Sequence, residues 1–213
     1  SFYSISSSVS KLAIITGPNH YGIGQSIASM IDVSWKTPLG LVEVDSESTL
    51  ELRDGLDILE LDSFSHSKEH SIEVQVPMLQ ETFSHEMKIL PISLINQEQK
   101  TATKVGSAIA KIAQKKDALL IGSSDFTHYE ENEFAHRQDL ALIDPILKLD
   151  VDEFYKILYE RHVTACGFGA IASTMIACKE LGATEGKLLK YATSGDVSGD
   201  KSSVVGYASI IFV

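Results

Sequence analysis

Two apolar runs, each leaving into a short polar loop with a histidine, constrain this chain more than anything else in it. Asp117-Ala118-Leu119-Leu120-Ile121-Gly122 reads as a buried strand, and Ser123-Ser124-Asp125-Phe126-Thr127-His128 follows it directly. Leu12-Ala13-Ile14-Ile15 reads as a second strand, leaving through Thr16-Gly17-Pro18-Asn19-His20-Tyr21-Gly22. In open α/β folds, ligands bind in the crevice outside the carboxyl ends of the strands. Two such exits predict an α/β protein whose chemistry sits where these loops meet.

The rest of the chain fits that class. Strands are expected at Leu41–Asp45, Lys88–Ile92, Leu188–Thr193 and Ser203–Val213. Helices are expected at Ser48–Leu56, Gln97–Gln114, Phe134–Leu147, Val151–Glu160 and Gly167–Leu181. Ser46 or Ser48 would cap the first of these, Asp150 or Asp152 the fourth, and Gly182 would end the last. A further helix is predicted over Glu69–Phe83, with Ile72, Val76, Leu79 and Phe83 on one face and Pro77 kinking it or marking its start. Residues 1–10 read as the tail of a helix or a mobile end. Gln25–Val33 reads as a strand or short helix, Trp35–Gly40 as a turn and Asp57–Ser67 as irregular. This alternation predicts one α/β sandwich over residues 1–213, with a central mixed, largely parallel sheet flanked by helices.

Bulk properties exclude several classes. A chain of 213 residues buries about 70% of its unfolded surface and needs no staples. The net charge of −11 argues against a nucleic-acid or anionic-membrane surface. Cys166 and Cys178 are too few for a disulfide framework and read as free thiols in a reducing compartment. Nothing approaches the roughly 20 apolar residues of a membrane span, and no signal peptide is visible. A cytoplasmic location is expected.

The chemistry-bearing residues are these. His20 lies between Pro18-Asn19 and Tyr21-Gly22, on a path tight enough to aim the ring, and suits a metal ligand or general base. The alternative is a turn histidine bonded to backbone. The loop is no phosphate-binding P-loop, because Ile23 stands where the lysine must be. Asp125 and His128 pair a carboxylate with an imidazole at one strand exit, an arrangement that sets a tautomer and raises basicity; against this stands an aspartate capping a turn beside a surface histidine. Asp196, in Ser194-Gly195-Asp196-Val197-Ser198-Gly199-Asp200, offers an oxygen ligand on a loop whose glycines allow close approach. Cys166 opens a helix, where a thiol pKa can fall, although a small buried thiol reads equally well. Cys178 reads as core. His66-Ser67-Lys68-Glu69-His70 matches the H-x-x-E-H pattern of inverted zinc peptidases, in which both histidines chelate zinc and the glutamate is the base. The competing reading turns His70 toward the crevice, with Glu69 and Glu73 as a solvated or hydrogen-bonded stripe. His85, His136 and His162 lie among charged residues and read as surface.

As a set, Gly17-Pro18-Asn19-His20, Glu69-His70-Ser71-Ile72-Glu73, Ser123-Ser124-Asp125-Phe126-Thr127-His128, Cys166-Gly167 and Ser202-Ser203-Val204-Val205-Gly206-Tyr207-Ala208 resemble the Memo family, also called AmmeMemoRadiSam system protein B. That family is similar to the LigB-type class III extradiol dioxygenases, in which two histidines and a carboxylate hold ferrous iron. The resemblance implies a LigB-like fold and a dioxygenase-like pocket. It makes His20 a metal ligand, Asp196 the nearest fit to a late-loop ligand, His128 with Asp125 the proton-handling pair, and Asn19, His70 and Cys166 pocket residues. The implied cofactor is Fe2+, with copper or zinc as alternatives. The implied partners are a small molecule or a peptide in the pocket, and radical-SAM and AMMECR1-type proteins by functional association. A non-catalytic module binding a phosphotyrosine-like peptide or a small anion is the competing implication. Family members carry a Pro-His-Ala-Gly-Tyr segment upstream, which this chain, starting at Ser1, does not contain.

Overall fold

The structure is a computed structural model that describes residues 2–6, 10–83 and 86–213, Tyr3 by its backbone only. Its elements are β1 (Leu12–Pro18), β2 (Ile27–Ser29), β3 (Ser34–Thr37), β4 (Gly40–Glu43), α1 (Ser46–Gly55), β5 (Glu60–Leu61), α2 (Val76–Thr82), β6 (Lys88–Leu94) and α3 (Gln99–Lys116). There follow β7 (Leu119–Gly122), β8 (His128–Glu130), α4 (Asn132–Leu147), α5 (Val151–Glu160), α6 (Phe168–Glu180), β9 (Gly186–Thr193), α7 (Gly195–Ser198) and β10 (Val204–Phe212).

The central sheet has five strands in the order β5-β2-β6-β1-β7. β1 pairs in parallel with β6 and β7, and β2 in parallel with β5, while β2 and β6 run antiparallel. The expected mixed, largely parallel sheet flanked by helices is what forms. An antiparallel sheet, β8-β10-β9, and the β3–β4 hairpin complete it. β1 is buried along its whole length, as its unbroken apolar run requires of a strand covered on both faces. On one face of the sheet α3 lays Val105, Ile109 and Ile112 among Leu12, Ile14 and Leu90. The other face carries Ala13, Ile15, Ile72, Val76, Leu79 and Phe83. A third apolar cluster lies among α4, α5 and α6.

Several expectations need correction. The helix predicted over Glu69–Phe83 is helical only from Val76, with a 3-10 turn at Glu73–Gln75 before it. Its apolar face is nonetheless buried as predicted. Pro77 sits in the first turn, where its missing N–H costs nothing. Residues 69–71 are diverted from the helix because Glu69 turns inward as a hydrogen-bond acceptor. Asp45, not a serine, caps α1 by accepting from Ser48 N–H at 2.7 Å. Trp35–Gly40 spans a strand and its turn, since β3 and β4 form a hairpin. Asp57–Ser67 contains β5 and a 3-10 turn at Ser63–His66. β7 is half-buried rather than buried, because it is the outermost strand on its side. His136 packs edge-on against Tyr191 at 4.7 Å rather than lying free on the surface. His85 and residues 1 and 7–9 lie outside the described residues. Among those described, no helix is long and apolar enough to cross a membrane.

Candidate functional site

β1 and β7 are parallel neighbours, so their exits open at the same end of the sheet. The two loops are stitched together. Ser123 N–H donates to Thr16 O at 2.9 Å, and Ser123 Oγ donates to Ser71 O at 2.7 Å. Ser71 Oγ in turn donates to Pro18 O at 2.9 Å. Gly17 is required here: a Cβ on it would stand 2.7 Å from Ser71 Oγ.

At the β1 exit, buried Asn19 fixes the turn through Nδ2 to Ile23 O at 2.9 Å and Ser65 O at 3.3 Å. His20 then meets Glu69, whose side chain is 2% exposed. Glu69 Oε1 accepts from His20 Nδ1 at 2.9 Å, His70 N–H at 2.8 Å and Ser71 N–H at 2.9 Å. Oε2 accepts from the His20 backbone N–H. Burial alone would push the carboxyl up; the bonds from the His20 ring, Ser71 N–H and His20 N–H outweigh it and hold the pKa at about 2. His70 stacks on His20 with ring centres 4.9 Å apart. His20, Glu69 and His70 thus place three ligand atoms within 4.8 Å of one another.

At the β7 exit a second group forms from Asp125, His128 and Cys166, again within 4.8 Å. His128 Nε2 stands 3.9 Å from Asp125 Oδ2. The ring is held from behind by Thr164: Nδ1 meets Thr164 O at 2.8 Å, and His128 N–H donates to Thr164 Oγ1 at 2.8 Å. Cys166 Sγ accepts from Asp125 N–H at 3.2 Å. Burial pushes this thiol up, against the bond from Asp125 N–H. The loop between Asp125 and His128 is pinned at Thr127, whose N–H and Oγ1 donate to Asp139 at 3.0 and 2.6 Å. Asp139, fully buried, also accepts from Tyr191 OH at 2.6 Å. Burial raises its pKa against these bonds.

The structure therefore gathers His20 with His70, and Asp125 with His128 and Cys166, as two groups at one end of the sheet. Asp196 belongs to neither. It is exposed and accepts from Thr193 N–H at 2.9 Å, within its own loop. The H-x-x-E-H reading fails on geometry, since no helical turn carries both histidines. His66 closes the 3-10 turn and is buried against Trp35, while residues 67–72 carry no helix. Burial lowers the His66 pKa to about 4. Sequence reading missed Glu69 as the buried hub, and it missed Thr164 and Asp139 altogether. Only Glu69 had a signal, a carboxylate flanked by histidines. The other two act through a backbone carbonyl and a contact twelve residues away.

A family model described as "Memo-like protein" matches residues 1–211. A MEMO1 family protein of Nitrosopumilus maritimus is 57% identical over 213 residues, spanning 100% of this chain and 78% of that protein. A MEMO1 family protein of Methanosarcina acetivorans is 49% identical over 202 residues, spanning 93% and 74%. Among solved structures, an uncharacterized protein of Escherichia coli K12 matches with a TM-score of 0.62 over 96% of this chain and 90% of that one. At 11% identity this likeness concerns the fold alone.

Proposed function

The chain belongs to the Memo family, and from that premise we propose that it binds a divalent metal ion at the carboxyl ends of β1 and β7, iron first, with copper or zinc as alternatives. The observation that carries this reading is the tautomer imposed on His128. Thr164 O can only accept, so the ring proton of a neutral His128 sits on Nδ1. Nε2 then presents a lone pair towards Asp125 and Cys166. Three electron-pair donors converging without an intervening donor favour a cation between them. Imidazole, carboxylate and thiolate together suit iron, copper or zinc.

In this reading Asp125, His128 and Cys166 hold the ion. Binding displaces the thiol proton, which burial otherwise retains, and the Asp125 N–H then stabilises the thiolate. When bound, the ion would supply Lewis-acid polarisation and, as iron or copper, electron-transfer chemistry of the oxidoreductase class. On the β1 side, Glu69 fixes His20 through Nδ1 and leaves Nε2 outward, the way an outer carboxylate orients a ligating histidine. His20 is thereby a second imidazole for the ion's surroundings or for substrate.

The test is metal analysis of the chain purified without chelator, with Co2+ as a spectroscopic probe. The expected result is about one bound ion per chain and a thiolate-to-cobalt absorption band that Cys166→Ser abolishes. Absence of bound iron, copper and zinc, with no cobalt band, overturns the proposal and leaves a pocket that binds without metal.

A further inference from the structure

We propose that the ring of Tyr129, held out by a strained backbone, braces the imidazole of His128 so that Nε2 stays aimed at Asp125 and Cys166. This role as a positioning residue rests on the metal reading of that group. The first observation is the ladder between β8 and β10. Val205 pairs with His128 and Val204 with Glu130, so Tyr129 is one residue too many on β8 and faces no partner of its own. That is a β-bulge, a feature common beside active sites, where it re-aims a side chain. The second is the backbone at the bulge. Tyr129 has a φ of 61°, in the left-handed region. Glycine is the usual residue at such a place, because any Cβ crowds the neighbouring carbonyl oxygen.

Tyr129 is singular in this respect. Among the described residues, five besides glycine have a positive φ. Asp117 caps α3, while Leu149 and His162 directly follow the caps of α4 and α5, where a left-handed residue closes a helix. Asp32 is of a type that tolerates the region, because its short polar side chain can bond locally. Tyr129 alone is aromatic and alone lies within a strand. Strain of this kind persists only where the surroundings over-determine it, and it clusters at functional sites. Core packing does not offset it, since Tyr129 is 78% exposed and belongs to none of the three apolar clusters.

What the ring does meet is His128. The two rings stand edge-on, with centres 5.7 Å apart and planes at 65°, the favourable edge-to-face arrangement. Thr164 O meets the imidazole at one atom, Nδ1. A single bond leaves a ring free to rock about it, and the edge of Tyr129 restricts that rocking. Tyr207 of β10 ties Tyr129 to the same opening. Burial raises the Tyr207 pKa, and the nearby charges of Asp125, Cys166 and Tyr129 add to the rise. Tyr129 therefore stands beside the group that would hold the ion.

The test replaces Tyr129 by glycine, asparagine and phenylalanine. Tyr129→Gly and Tyr129→Asn keep the left-handed backbone and remove the ring. Both should unfold at a urea concentration no lower than the parent's, yet bind Co2+ about tenfold more weakly, the upper end of what an edge-to-face ring pair contributes. In the metal-free chain the His128 Nδ1 proton, followed by NMR, should exchange with water about tenfold faster in both variants. Tyr129→Phe keeps the ring and should restore parental affinity and exchange. Loss of affinity without loss of stability separates positioning from ordinary packing, in which both fall together. The exchange measurement needs no ion, so a parent that binds no Co2+ ends the metal reading and leaves exchange to decide the bracing. The proposal is overturned by parental exchange in the glycine and asparagine variants, or by parental Co2+ affinity in both where the parent binds the ion. It is also overturned by a loss in the glycine variant alone, which traces the effect to backbone freedom, by lowered urea midpoints in both, or by a phenylalanine variant that behaves like glycine.

Discussion

At the β1 exit a buried carboxylate holds the histidine; at the β7 exit a backbone carbonyl does. Glu69 spends both oxygens on four donors, so the charge of that group faces inward and its histidine is locked. Asp125 keeps 46% of its side chain exposed and meets His128 only at 3.9 Å, while Thr164 O holds the ring from behind. The first group is self-sufficient; the second depends on surrounding elements, on Thr164 before α6 and on Asp139 of α4. A carboxylate already saturated by N–H groups makes a good orienting partner and a poor ligand, whereas a loosely met one keeps its lone pairs for a cation.

The strongest challenge to this contrast is Glu69→Gln. The replacement puts an amide NH2 against N–H donors, and the expected loss is on the order of 3 kcal/mol, the worth of a carboxyl held at about 2 rather than 4.5. Because the folded pKa is depressed, this stability is present above pH 4.5 and lost as pH falls towards 2, so pH-dependent melts should show the variant less sensitive than its parent across that window. His66 acts higher. Its folded pKa is also depressed, so the neutral ring's contribution is complete above pH 6.5 and falls away towards about 4. His66→Phe should flatten the melt there without touching the lower window. A Glu69→Gln protein as stable as its parent would place the hub elsewhere.

His128→Ala is next. Isothermal titration with Co2+ should show about a 100-fold loss of affinity, the upper end of what even outer partners are worth, while Glu69→Gln should cost nearer tenfold. The reverse ranking would move the ion to the β1 exit. Asp139→Asn probes how the second group is held. The amide oxygen can still accept from Thr127 N–H and Oγ1, but Tyr191 OH then meets an NH2 and loses its acceptor, so about 2 kcal/mol of stability is expected to go, measured by urea unfolding, with weaker Co2+ binding alongside. The smallest effect belongs to Asp196→Ala. It removes one bond to Thr193 N–H, about 1 kcal/mol, and should leave Co2+ affinity within about twofold. A large loss of metal there would show that the late loop closes onto the site.

Amino-acid order by itself determined the α/β class, the apolar cores of β1, α3 and α6, and the placing of His20 and of Asp125 with His128 at strand exits. Those features follow from local patterns: hydrophobic period, strand-exit loops and neighbours a few residues apart. Only the tertiary structure decided that Cys166 joins Asp125 and His128, that Glu69 is the hub of the other group, and that Asp196 satisfies its own loop. It likewise turned the expected buried strand β7 into a half-covered edge. Each of these depends on chain segments tens of residues apart meeting in space, or on a backbone carbonyl whose direction no side-chain pattern encodes.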